Sequence, residues 1–228
     1  MANNKAEEKK SSAKSAANLD SVKKEMGPLG FIGSAIGVIA LIIVAVIYFI
    51  NDSKQNKNES AQDELFQAQY YFEKDSTDLA LNGDGRSLGF LSIIDIYGGT
   101  EAANLAHFYA GTIYLNEGNF QAALDHFNDF SSSEVLLNAR ANELRGDTYM
   151  ELGQYSDAAS AYESAANSVD DKFFSPNYLL KAALAHENAG DVSAALKAVT
   201  KVVDNYFGAS QYNEAKKQKA RLEVLASR

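Results

Sequence analysis

Two hydrophobic patterns divide the chain. Residues 29–50 read LGFIGSAIGVIALIIVAVIYFI, 22 positions without a charge. Beyond residue 55, apolar positions recur at helical spacing in short blocks broken by Gly, Asn and Asp. The first pattern predicts a helix of about 33 Å, enough to cross a hydrocarbon core of about 30 Å. A cleaved signal peptide competes with that reading, but its apolar core runs only about 7–15 residues and ends at small residues. This run is longer and ends in Tyr48-Phe49-Ile50, side chains suited to a membrane interface. It predicts an uncleaved signal-anchor. The second pattern predicts an all-α body. Helices are expected over 64–73 and 88–97 around a turn at Asn82-Gly83-Asp84-Gly85, and over 212–226 at the end. Thr100 is a good N-cap for the helix that follows it.

The blocks repeat. One segment carries Gly111, Tyr114, Gly118, Phe120, Ala123 and Phe127; the next carries Gly146, Tyr149, Gly153, Tyr155, Ala158 and Tyr162; the third carries Ala183, His186, Gly190, Val192, Ala195 and Val199. The chemistry of such a series is steric. Small residues at 111, 146 and 183 let two helices touch, with Tyr114 and Tyr149 beside them. Gly118, Gly153 and Gly190 supply the positive φ that ends a first helix. Ala123, Ala158 and Ala195 mark the close contact on the second helix, and Phe127, Tyr162 and Val199 plug the gap to the next repeat. The series resembles the tetratricopeptide (TPR) repeat. That resemblance implies a solenoid of helical hairpins: repeats at 104–130, 139–165 and 176–202, a divergent pair at 60–99 before them and a capping helix at 210–226, within a body of 60–228. A linker is expected at 51–59.

Charge orients the layout. Residues 1–28 hold six Lys against four acids, whereas residues 51–228 hold 15 Lys and Arg against 26 Asp and Glu. Lys9, Lys10, Lys14, Lys23 and Lys24 precede the apolar run, and only Lys54 and Lys57 follow it up to Tyr70. The positive-inside bias places the N-terminal tail in the cytoplasm and the acidic body outside. The tail is poor in large apolar residues and is expected to be disordered. Within the run, Gly30, Gly33, Ser34 and Gly37 form small-xxx-small pairs, which admit a second helix at close range. Gly is also simply common in membrane helices, so the pairs have two readings.

Composition removes several chemistries. The 228 residues include no Cys, which excludes disulfides, thiolate zinc sites, iron–sulfur clusters and a Cys nucleophile. A net charge of −9 and a pI near 4.9 argue against a general nucleic-acid partner. There is no P-loop, G-x-S-x-G or H-E-x-x-H motif. The turn at 82–85 fails as a calcium loop, because aligning Gly85 with the loop's sixth position puts Ala80 and Leu91 at its end ligands. His107 and His126 fall on successive helices of one repeat but lack a third ligand in sequence. His186 sits at the repeat's Tyr position and is expected to be packed and hydrogen-bonded. No enzyme, cofactor, metal or small-molecule substrate is expected. Lys216, Lys217, Lys219 and Arg221 read as the solvated face of the cap.

A protein-binding surface remains. In a TPR stack the first helices line a concave groove. The register puts Leu105, Phe108, Thr112, Leu115 and Asn116 there, then Arg140, Glu143, Asp147, Met150 and Glu151, then Asn177, Leu180, Leu184 and Glu187. Apolar at both ends and acidic in the middle, the surface suits an amphipathic or basic peptide, with Phe108 as anchor. The whole layout, a short cytoplasmic tail, one anchor and an acidic periplasmic TPR body, is similar to the YfgM-like ancillary proteins of the bacterial Sec translocon. That resemblance implies an inner-membrane protein beside translocon subunits and a membrane-anchored periplasmic chaperone of the PpiD type. A self-associating scaffold for division or outer-membrane secretion is the alternative.

Overall fold

The computed structural model describes residues 41–46, 48 and 56–227, in two compact units divided after Asn56. In the first, residues 41–46 and 48 are helical, and Leu41, Ile42, Ile43, Val44, Val46 and Tyr48 are all more than half exposed. Among the described residues no helix is long and apolar enough to cross a membrane. Most of the expected anchor, its Gly30, Gly33, Ser34 and Gly37 face, and the N-terminal tail lie outside the described residues.

The second unit is helical throughout, apart from one isolated bridge between Gly83 and Leu88. Its helices are α1 (56–73), α2 (Thr77–Asn82), α3 (Phe90–Tyr97), α4 (Glu101–Asn116), α5 (Phe120–Asp129), α6 (Val135–Glu151), α7 (Tyr155–Val169), α8 (Ser175–Asn188), α9 (Val192–Asn205) and α10 (Tyr212–Ala226). From α3 onward each helix packs on the next. Thr100 caps α4 as expected, its hydroxyl accepting from the Ala103 amide at 3.1 Å. Gly118, Gly153 and Gly190 take φ of +78°, +70° and +81° just past α4, α6 and α8. They turn the chain within three residues, so each first helix is followed by an antiparallel second one.

The small-residue positions do what the repeat pattern requires. A Cβ on Gly111 would lie 2.8 Å from the Phe127 ring, and one on Gly146 would lie 2.6 Å from the Tyr162 ring. Each aromatic therefore lies over the glycine of its own hairpin. It also reaches the next repeat: Phe127 packs with Leu144, and Tyr162 with Ala182 and Ala185. In the third repeat Ala183 and Val199 share one cluster with Leu222 of the cap. The larger first-helix residue there meets a smaller plug.

The expected pair at 60–99 is three helices. α2 intervenes, six residues without enough length to show a period. Residues 56–59, read as linker, are helical and belong to α1. Ala61, Leu65 and Ala68 of α1 share a core with Phe90, Ile93 and the apolar face of α4. The turn after α2 is locked from within. Asp84 accepts from the amides of Ser87 and Arg86 and from the Tyr71 hydroxyl, which lower its pKa to about 2.

Candidate protein-binding groove

The first helices α4, α6 and α8 border a cavity of about 600 Å³. Leu115 and Asn116 come from α4, Asp147, Met150 and Glu151 from α6, and Lys181 and Leu184 from α8; Gly118, Phe120 and Tyr162 complete the lining. Six of the expected groove residues thus meet at one place. Leu184, at 54% exposure, is the most open apolar side chain among them.

The others go elsewhere. Leu105 packs against the α1–α3–α4 core, and Phe108 against the cluster of Ala123, Phe127 and Leu144. Phe108 is tilted against Phe130 at 5.3 Å between centroids, so it packs within the first repeat and does not line the cavity. The Thr112 hydroxyl donates to its own helix at the Phe108 carbonyl, 2.8 Å away. Leu180 packs into the clusters of the third repeat. Asn177 is half-buried in the first turn of α8 and Arg140 is exposed on α6. Glu187 is held by Arg221 of the cap in a two-pronged pair at 2.6 and 2.7 Å. Arg221 therefore ties α10 to α8, and the basic face of the cap is not wholly solvated.

The expected acidic centre is a neutralised cluster. Lys181 Nζ lies 2.7 Å from Glu143 Oε1, 2.8 Å from Asp147 Oδ1 and 5.5 Å from the Tyr162 ring centroid. The Tyr162 hydroxyl donates to Asp147 Oδ1 at 2.7 Å, and Arg140 pairs with the other Glu143 oxygen. Glu143 is only 6% exposed. Burial opposes charge on Glu143 and on Lys181, but their mutual hydrogen bonds outweigh it. The Glu143 pKa is held below, and that of Lys181 above, the ordinary value. Burial, and then the bond to Asp147, push the Tyr162 phenol well up. Of the three acids on α6 that share this stripe, Glu151 is the exposed one. The geometry starts at Gly146: because the Tyr162 ring lies on it, the hydroxyl reaches the neighbouring Asp147.

Lys181 was readable in the register and was missed. It sits two residues before Ala183, where the earlier repeats have Leu144 and Tyr109. That position faces the preceding first helix, and a lysine there needs an acid opposite.

The histidines come together. His107 Nδ1 and His126 Nδ1 are 3.0 Å apart, and Tyr114 stacks on His126 at 5.4 Å and 15°. Burial lowers both pKa values, against the pull of Asp129 on each. One ring therefore donates to the other. No group of three His, Asp or Glu residues among the described residues is arranged to hold a metal. His186 Nε2 meets Glu163 Oε1 of α7 at 3.0 Å, half-buried as its place in the repeat implies.

Residues 108–172 and 144–210 match the family model for the tetratricopeptide repeat. The two windows overlap and begin 36 residues apart, close to the 35 and 37 residues that separate Gly111, Gly146 and Ala183. No curated protein matches the chain. Residues 108–210 thus carry tetratricopeptide repeats in an all-helical repeat fold, the architecture of protein–protein interaction scaffolds that are generally not catalytic.

Proposed function

We propose that this chain is a membrane-anchored interaction scaffold on the periplasmic face of the bacterial inner membrane, an ancillary partner of the Sec translocon and of a membrane-anchored periplasmic chaperone. The observation that carries the interaction role is the cavity between three consecutive first helices. Leu115, Met150 and Leu184 offer it apolar surface, and the Lys181–Asp147 pair offers both signs of charge at its floor. Such a floor suits a polar or amphipathic segment with its apolar side toward Leu184 better than it suits a purely basic peptide. The anchor and orientation are supported by the uncharged run at 29–50 and by the lysines before it. The small-residue pairs at Gly30, Gly33, Ser34 and Gly37 support the second reading, a self-associating scaffold for another envelope machine.

The test is a photo-crosslinking residue placed at Met150 or at Leu184 in living cells, with adducts identified by mass spectrometry. Translocon subunits or a periplasmic chaperone among the adducts is the expected result. Adducts of the chain with itself alone would move the conclusion to the second reading. Adducts equal to those from exposed Lys217 on the cap would remove the groove as the binding site.

A further inference from the structure

In the repeat body ten large apolar side chains outside the groove face solvent: Phe66 and Tyr70 on α1, Val224 and Leu225 near the end of α10, and six others. The six are Ile96, Val135, Leu136, Phe173, Phe174 and Phe207, with Phe173 72% and Phe207 82% exposed. Their places in the chain are not scattered. Ile96 is in the last turn of α3, Val135 and Leu136 open α6, Phe173 and Phe174 precede α8, and Phe207 lies between α9 and α10. All are at turns that lead into a first helix or the cap, and in an alternating antiparallel stack those turns share one edge. Hydrogen bonds join them along it. Asn104 exchanges two with Ser131, and the Tyr206 hydroxyl donates to Asp170 at 2.7 Å. The opposite turns at 117–119, 152–154 and 189–191 hold none of the large exposed apolar side chains; on that side Val224 and Leu225, in the last turn of α10, are exposed.

Two further observations bear on what this edge meets. Asn58 of α1 accepts from the Ala102 amide at 3.3 Å, so the chain enters the repeat body here. Asn58 is eight residues beyond Ile50, at most about 28 Å of extended chain. Two of the acids on the edge are engaged, whereas Glu101, Asp129 and Glu134 at the same turns are exposed. Asp171 accepts from the amides of Phe173 and Phe174 at 2.8 Å, and Asp170 accepts from Tyr206, while Lys172 Nζ sits 5.5 Å from the Phe173 ring centroid.

We propose that this edge rests on the lipid bilayer, with the aromatic side chains in the boundary between headgroups and acyl chains. The proposal rests on the anchored reading above and adds the face that the repeat body turns to the membrane. Aromatic rings suit that boundary. An insertion this shallow is weak alone, but a short tether raises the effective concentration of the edge at the surface. The edge has no cluster of cations, so contact should need no anionic lipid and should survive added salt. The groove, bordered by the flanks of the first helices, stays open to a partner.

The full chain, reconstituted in phosphatidylcholine vesicles, tests this. It has no native Cys, so single-Cys variants can carry an environment-sensitive dye at Phe173→Cys or Phe207→Cys, and at Asn119→Cys or Gln154→Cys on the opposite turns. With nitroxide-labelled lipid, dyes on the first edge should lose most of their emission, in low and in high salt, and dyes on the opposite turns should keep theirs. A Phe173→Ser/Phe174→Ser/Phe207→Ser chain labelled at Ser133→Cys should lose the quenching while keeping its helical spectrum. Equal emission at both edges, from protein that floats with the vesicles, would overturn the proposal and leave the anchor standing. Protein that does not float would overturn both. Energy transfer between edge dyes on separate copies, without lipid quenching, would assign the edge to a second copy and overturn the lipid reading.

Discussion

Glu143 is a nearly buried carboxylate whose charge depends on Lys181 and Arg140. Removing one partner of such a pair leaves the other uncompensated, which costs more than the pair contributes. Lys181→Met should therefore destabilise the body by about 1–3 kcal/mol, read from urea midpoints, and adding Glu143→Gln should recover part of the loss. The pH dependence follows from the depressed folded pKa of Glu143. Below its ordinary value of 4.5 the unfolded chain takes up the proton first. The contribution is complete above that value and is lost as pH falls through the folded one. Wild type should weaken over this acid range, and Lys181→Met should show a flatter slope. The stripe Glu143, Asp147 and Glu151 was legible as one helical face, because i, i+4 spacing is local. Its neutralisation was not legible in the same way, because the cation arrives from the next first helix, 34 and 38 residues along.

Each hairpin is fixed by a socket, and the sequence displayed it as a glycine or alanine followed 16 residues later by an aromatic or valine. Three pairings occur: Gly111 with Phe127, Gly146 with Tyr162, and Ala183 with Val199. Gly146→Ala should cost about 1–3 kcal/mol by overpacking the ring. In a Tyr162→Val background the same change should cost less, a coupling of about 0.5–3 kcal/mol in a double-mutant cycle. Gln154→Ala, in an exposed turn where the side chain makes no cap, should stay within about 0.5 kcal/mol. Equal penalties for Gly146→Ala in both backgrounds would mean the socket is not the source of the effect. In the first repeat the His107–His126 bond joins α4 to α5 as well. Both folded pKa values lie below the ordinary 6.5, so the unfolded chain protonates first and the stability is lost as pH falls past that value. Melting temperature should drop from about pH 7.5 to about pH 5.5, and less so in His107→Gln. Sequence placed these two rings on adjacent helices but could not bring them into contact, since that depends on where α5 lies along α4. α2 was invisible for a different reason: six residues between a turn and a glycine carry no helical period.

At the scale of the molecule, the repeat was legible because its spacing is steric and recurs, whereas the binding surface is assembled from positions that each repeat leaves free to vary. Phe108 illustrates the difference. Its register pointed to the groove, yet it turns into the first repeat, where Phe127 and Phe130 give it more apolar contact. The orientation of the chain is the claim on which any envelope role depends, and it rests on lysine placement rather than on contacts. Cys at Ser12 should be shielded from a membrane-impermeant maleimide in intact spheroplasts and should react once the membrane is permeabilised. Cys at Asn119, exposed on the turn after α4, should react without permeabilisation. Asn119 is the better reporter than Ser133, because it lies on the edge away from the exposed aromatic side chains. Its labelling therefore reads topology alone, even if the other edge is covered by lipid. The reverse pattern, with Ser12 reactive and Asn119 shielded, would place the repeats in the cytoplasm. It would remove the periplasmic and translocon readings while leaving the helical groove and its Lys181 floor intact as a protein-binding surface.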